Sequence, residues 1–261
     1  MRALVLGGGG IAGIAWETGI LHGLQETGRD PLEVDMIIGT SAGSAVTAAV
    51  SSDTPLAELF ERQTNPPTGD SGRQGPPMQR LVEIFTLFAS MRDAPPAEAR
   101  RKLSELALTA ETMPEEQWKK VSGSGLPSHS WPTRKIGTVA VDAVSGEARI
   151  FDNESGAELV SAVAASCAVP GVYPPVTIDG RKYIDGGVRT TTNADLVAEY
   201  DEILVIAPVP DELKLPNAVL ITPDEKSLKA MTMNVLDPAT RVPSAKQGYE
   251  QALEHAGQIW R

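Results

Sequence analysis

Ser41 stands in the run Gly39-Thr40-Ser41-Ala42-Gly43. A serine between two glycines at this spacing suits a sharp strand-to-helix turn. The turn projects the hydroxyl from a sheet, and the glycines remove Cβ atoms that would collide. The flanks agree: Val34 to Ile38 is an apolar, strand-like run, and Ala42 to Val50 is rich in small and apolar residues suited to a closely packed helix. A helix starting there directs its free N–H groups and positive dipole end at the reaction centre. Such a serine attacks an acyl carbonyl.

The nucleophile needs a base. Of the three histidines, His22 falls in the first helical stretch, His129 in the loop Pro127-Ser128-His129-Ser130, and His255 in the last helical stretch. Only His255 follows the chain order of an α/β-hydrolase triad, and no loop delivers it. All three read as surface or packing residues. The alternative is a carboxylate. Asp185, in Ile184-Asp185-Gly186-Gly187, follows a strand-like run, and its two glycines permit close approach by another backbone. On its own an Asp-Gly-Gly is equally a bare turn.

A third feature is Gly7-Gly8-Gly9-Gly10, with Gly13 beyond it, between an apolar run and a helical one. The spacing fits the dinucleotide fingerprint, but that fold needs an acidic residue at the end of its second strand to hold the ribose. Here the second strand ends in Gly39-Thr40-Ser41. The glycines suit a hydrolase better. Backbone N–H groups converging on a tetrahedral oxyanion stabilise it by roughly 3–4 kcal/mol per donor, and consecutive glycines let them converge without side chains in the way.

The elements that position these residues are legible in outline. Arg2 to Leu6 reads as a buried strand, Ile11 to Glu26 as a helix, and Val34 to Ile38 as a second strand leading into the serine turn. This is the opening of a mainly parallel sheet with helices on both faces, whose sites lie at the carboxyl ends of the strands. Asn65 to Pro77 is rich in proline and glycine and reads as a loop. Met78 to Met91 and Ala97 to Leu108 read as helices, and Thr112-Met113-Pro114-Glu115 has the spacing of a capping box opening a third. Residues 65–132 are therefore expected to be a helical insertion over the sheet. Leu81, Phe85 and Phe88 fall near one face of its first helix, which fits core packing or an acyl-chain lining. Strand-like sequence returns at Ile136 to Val141 and Ala148 to Phe151, a helix at Ala157 to Ala168, and a hairpin with an Asp-Gly turn at Val176 to Ile184. Ile203 to Ala207 and Val219 to Thr222 supply two more strands, and Ala245 to Trp260 a final helix.

Composition narrows the function. The chain has 261 residues, a formal net charge of −11 and no dense basic stripe, which argues against nucleic acid and against electrostatic docking on anionic lipid. Any lipid contact falls to apolar surface. The single cysteine, Cys167, precludes an intramolecular disulfide and reads as a small buried residue. No run reaches the roughly 20 apolar residues of a membrane span, and the N-terminal apolar stretch is too short for a signal peptide, so a cytoplasmic location is expected.

In this order, the glycine loop through Gly13, the Ser41 turn and Asp185-Gly186-Gly187 resemble the patatin-like phospholipases. The run Ala164 to Pro175 and Asn193 are also similar to that family, and the resemblance covers about residues 3–53 and 136–207. It implies a three-layer α/β/α fold in a single domain over residues 1–261, and a Ser-Asp dyad without histidine. Ser41 would be the nucleophile, Asp185 the general base, and the N–H groups around Gly8, Gly9 and Gly10 the oxyanion hole. Gly13, Gly39, Gly43, Gly186 and Gly187 complete the motifs. The resemblance implies acyl esters of phospholipids or glycerolipids as substrates, transient contact with a membrane surface, and no metal or cofactor. Rival readings are a general carboxylesterase or thioesterase, and a catalytically silent lipid- or partner-binding protein on the same scaffold. One departure stands out: many members carry Arg or Lys just before the last glycine of the loop, where this sequence has Ala12.

Overall fold

The fold grows from two short apolar strands. Arg2–Leu6 (β1) and Met36–Thr40 (β2) are buried on both faces and pair in parallel, with Leu6 opposite Gly39. The computed structural model describes residues 1–66, 78–91, 96–210 and 213–255. Ile136–Asp142 (β3), Ala148–Phe151 (β4), Val176–Ile178 (β5), Arg181–Asp185 (β6), Glu202–Ile206 (β7) and Ala218–Ile221 (β8) complete one sheet. Among the described residues the order is β5-β6-β3-β2-β1-β7-β8, with β4 beside β3. Strands β3, β2, β1, β7 and β8 run parallel, and β4, β5 and β6 are antiparallel additions at one end. The β5–β6 turn places Asp179 and Gly180 at φ 50° and 74°, the doubly left-handed geometry that favours an Asp-Gly hairpin.

Alternation along the strands divides the core. Leu4, Leu6, Ile37, Leu204 and Ile206 face one layer, where they meet Gly10–Glu26 (α1), Ala42–Val50 (α2), Leu159–Ser166 (α7) and Arg241–His255 (α9). Ala3, Val5, Ile38, Ile203 and Val205 face the other layer and are covered by the short turn Ala194–Val197 with Tyr200. Further along that face, Ala107 of Pro96–Thr109 (α5) packs on Val141 and Ile184. Sheet and two covering layers make a three-layer α/β/α architecture, with each fully buried Leu or Ile contributing about 1.5–3 kcal/mol.

Several local expectations need correction. Leu56–Thr64 (α3) and Glu225–Met231 (α8) are helices that sequence patterning missed. The anticipated capping box does not form. Glu115–Gly123 (α6) starts after Pro114 with no side-chain cap, and the Glu115 carboxylate instead accepts hydrogen bonds from the Thr177 amide and hydroxyl, at 2.7 and 2.9 Å. Leu81 and Ile84 of Met78–Met91 (α4) are buried. The side chains of Phe85 and Phe88 lie outside the described residues, as do most of the Pro- and Gly-rich stretch and the chain beyond His255. Among the described residues no helix is long and apolar enough to cross a membrane.

One buried group sits oddly in this core. Glu17, on α1, is fully buried with neither carboxyl oxygen hydrogen-bonded among the described residues. Burial pushes its pKa well above the carboxylate range, eased only by the Gly7 amide, whose hydrogen is already on the Ile206 carbonyl at 3.0 Å. The neutral form fits the fold and the anion fits the unfolded chain. Stability tied to Glu17 is therefore complete below about pH 4 and declines as pH rises. Glu17→Gln is expected to unfold at a higher temperature than the wild type at pH 8, with the gap closing by pH 4; thermal melts across that range read the difference.

Candidate active site

Strand register brings the two candidate residues together. Thr40 of β2 lies opposite Val139 of β3, and Ala140, the next residue of β3, lies opposite Asp185 on its other side. Ser41 thus leaves the sheet at the level where β6 ends, with one strand between them. The Ser41 hydroxyl donates to Asp185 Oδ2 at 2.7 Å. Asp185 Oδ1 accepts from the Gly187 amide at 2.7 Å, and the Asp185 amide donates to the Ala168 carbonyl at 3.0 Å.

Ser41 occupies a backbone conformation that side chains rarely adopt, φ 54° and ψ −118°, which costs on the order of 1–3 kcal/mol. The turn is tight because α2 starts directly on β1. A Cβ on Gly43 would lie 2.1 Å from the Leu6 carbonyl oxygen, and one on Gly39 would lie 2.3 Å from the Gly43 carbonyl oxygen. Those contacts, rather than flexibility, explain the two glycines.

The serine's neighbours hold that turn. Its amide donates to Ser166 Oγ at 2.9 Å. Ser166 donates to the Val139 carbonyl at 2.5 Å and lies 2.6 Å from Ser44 Oγ, and Ser44 Oγ is 2.9 Å from the Gly39 carbonyl oxygen. Asn193, itself at φ 52°, reaches across the site. Its Nδ2 group donates to Thr40 Oγ1 and to the Gly186 carbonyl, each at 3.1 Å, tying the end of β2 to the turn after Asp185. Arg189 donates to Asn193 Oδ1 at 2.8 Å and pairs with Asp195 at 2.6 Å. Sequence reasoning passed over Ser44 and Ser166 and gave Asn193 no role. A lone buried serine or asparagine leaves no periodic signal, and Ser166 and Asn193 lie more than 100 positions from the residues they hold.

The glycine loop runs beside the serine. A Cβ on Gly8 would lie 3.5 Å from the Ser41 Cβ. Gly8 nonetheless differs from expectation, because its amide hydrogen is already donated to the Thr191 carbonyl at 2.8 Å. Among the described hydrogen bonds the Gly9 and Gly10 amides have no acceptor; Ala12 donates to the Val235 carbonyl and Gly13 to the Gly9 carbonyl. Gly10 opens α1 at φ 62°, where a Cβ would also meet the Val235 carbonyl oxygen at 2.7 Å.

The histidines are occupied elsewhere: His22 faces Glu26 and the rings of Phe60 and Tyr249, and His129 bonds the Gly123 carbonyl. The side chain of His255 lies outside the described residues. Burial raises the Asp185 carboxyl to about 7 against the opposing pull of the Ser41 and Gly187 hydrogen bonds. Burial and the nearby Asp185 charge likewise push the Cys167 thiol well up, so it keeps its proton.

With this geometry in view, the family model for patatin-like phospholipases matches residues 4–198. The chain belongs to the patatin-like phospholipase family. The matched span contains the glycine loop, the serine turn, Asp185 and Asn193, and the family is one of lipid hydrolases. Two solved structures are similar to this patatin-like chain. VipD from Legionella pneumophila is 14% identical, over 97% of this chain and 66% of its own, with a TM-score of 0.47. The type III effector ExoU of Pseudomonas aeruginosa is 16% identical, over 98% and 52%, with a TM-score of 0.46. The chain spans about two thirds of the first and half of the second.

The raised Asp185 pKa carries a stability consequence. Its folded value of about 7 lies above the ordinary 3.8, so the fold favours the neutral acid, and stability is lost as pH rises through 7. Asp185→Asn, neutral throughout, is expected to melt several degrees above the wild type at pH 8.5 and level with it below pH 4. Calorimetry at the two pH values checks this.

Proposed function

We propose that this protein is a serine acyl hydrolase in which Ser41 is the nucleophile and Asp185 the general base, acting on acyl esters of phospholipids or glycerolipids. The observation that carries the reading is the 2.7 Å hydrogen bond from the Ser41 hydroxyl to Asp185, made within a strained turn. A silent binding scaffold has no use for a buried carboxylate on a strained serine, and backbone strain of this kind clusters at functional sites.

In the first step Ser41 Oγ attacks the ester carbonyl carbon as its proton passes to Asp185. The tetrahedral oxyanion collapses, the C–O bond to the leaving alcohol or lysolipid breaks, and that oxygen takes the proton from Asp185. In the second step Asp185 takes a proton from water as its oxygen attacks the acyl-Ser41 carbonyl. The acid is released and the proton returns to Ser41. A carboxylate near its ordinary pKa is a poor base for a hydroxyl; one raised to about 7 is closer to optimal at neutral pH. Because Gly8 donates to Thr191, the reading assigns the oxyanion to the amides of Gly9 and Gly10 at the start of α1, where the helix dipole adds to them.

The acyl class rests on the family. With Ala12 where many members carry a cation and a chain charge of −11, an uncharged or zwitterionic ester suits the site better than an anionic one. Contact with the lipid surface falls to exposed apolar side chains. Among the described residues Met233 is the most exposed of them at 88%, two residues from Val235, whose carbonyl holds the glycine loop.

A fluorophosphonate probe is expected to label the wild type and neither Ser41→Ala nor Asp185→Asn; an unlabelled wild type sinks the hydrolase reading. Only the Asp185 anion accepts a proton, so kcat/KM for a short p-nitrophenyl ester is expected to rise with pH to a plateau, half-maximal near 7. A profile flat from pH 5 to 9 removes Asp185 as the base.

A further inference from the structure

Two adjacent residues at the end of α7 hold both ends of the Ser41 residue. Ser166 Oγ accepts the Ser41 amide hydrogen at 2.9 Å, and the Cys167 thiol donates to the Ser41 carbonyl at 3.1 Å. That carbonyl also accepts from the Ser44 amide at 2.9 Å. We propose that Ser166 and Cys167 form a two-point clamp that keeps Ser41 in its strained conformation and so aims its hydroxyl at Asp185. They are positioning residues, and the proposal rests on the hydrolase reading only for its kinetic consequences.

The buried surroundings make the clamp specific. Ser166 is fully buried, and every hydrogen-bonding capacity of its hydroxyl is used. It donates to the Val139 carbonyl at 2.5 Å and accepts from the Ser41 amide, and Ser44 Oγ lies 2.6 Å away in a contact where either oxygen can donate. The hydroxyl is therefore fixed as an acceptor toward Ser41. Val139 belongs to β3, the strand separating the two members of the dyad, so Ser166 ties the serine turn to the strand against which Asp185 of β6 pairs. Two residues beyond Ser166, the Ala168 carbonyl accepts from the Asp185 amide at 3.0 Å. Three consecutive residues, Ser166, Cys167 and Ala168, thus touch Ser41 twice and Asp185 once.

A small hydroxyl and a small thiol are what this geometry demands. Ser166 must accept from an amide and donate to a carbonyl at the same time, which an alanine cannot do. Cys167, partly buried against the core, must bring a donor to a carbonyl, and its thiol stays protonated there. Without the clamp, the Ser44 amide and the Asp185 hydrogen bond are left to offset the cost of a non-glycine residue at φ 54°, and the serine turn relaxes toward ordinary backbone angles.

The test uses the full chain with Ser166→Ala, Cys167→Ala, Cys167→Ser and Ser44→Ala. Hydrogen exchange of the Ser41 amide reads the clamp without reference to activity. Its protection is expected to fall at least tenfold in Ser166→Ala and severalfold in Ser44→Ala, while amides of β1 and β7 keep wild-type rates. With a short p-nitrophenyl ester, Ser166→Ala is expected to lower kcat and the fluorophosphonate labelling rate roughly tenfold, the order of one lost hydrogen bond, with KM within twofold. Cys167→Ala is expected to lower both severalfold and Cys167→Ser to recover part of the loss, and this pair is informative even where Ser166→Ala folds poorly. Wild-type Ser41 exchange and labelling in both Ser166→Ala and Cys167→Ala overturn the clamp. A wild type that labels poorly but shows the expected exchange pattern retains the clamp and removes the hydrolase reading.

Discussion

The site depends on one hydrogen bond made across a strand. Ser41 and Asp185 come from β2 and β6, which do not touch; β3 separates them, and its register sets both at one height. A one-residue slip of β3 against either neighbour would turn the alternation over and move one partner to the other face of the sheet. Parallel pairing on one side of β3 and antiparallel pairing on the other are what let a strand end and a strand-to-helix turn meet. The parallel core sets the serine turn in place, and the antiparallel hairpin β5–β6 brings the carboxylate to it.

Around that bond the polar groups are arranged without slack. Asp185 has one oxygen on Ser41 and the other on the Gly187 amide. Asn193 joins the end of β2 to the Gly186 carbonyl, and Arg189 fixes Asn193. Against this order, Glu17 stands buried beneath the glycine loop with its oxygens unmatched among the described residues, and burial holds it neutral. Two carboxyls are thus raised by the same cause, and among the described residues Asp185 alone of the two has a hydroxyl partner.

Motifs whose meaning is local were readable from the sequence. The Gly-x-Ser-x-Gly turn, the Asp-Gly hairpin and the glycine loop each state a backbone requirement within a few residues, and the strands of a buried parallel sheet stand out as short apolar runs. Relations that exist only across the fold were not readable. Ser166 and Ser44 look like ordinary small residues in helical stretches until β3 and the serine turn converge on them. The commitment of the Gly8 amide to Thr191 depends on a loop 183 positions away. Glu115, placed to cap its own helix, was drawn to Thr177 on a neighbouring strand, because a charge-assisted bond to another element outweighs a cap of about 1 kcal/mol. Helices α3 and α8 escaped notice because each is two turns of mixed polarity, too short for periodicity to declare.

The separation of 144 positions between Ser41 and Asp185 bears on how the molecule comes into being. Local pieces such as the β5–β6 hairpin or α1 can form early, but the Ser41–Asp185 pair requires long-range closures whose entropy must be met first. Strand β7, which completes the centre of the sheet beside β1, comes later still in the chain. During synthesis Ser41 therefore has no carboxylate beside it until most of the chain has been made. The Ser41–Asp185 contact arrives only with the finished topology, and a truncated or misregistered chain lacks it.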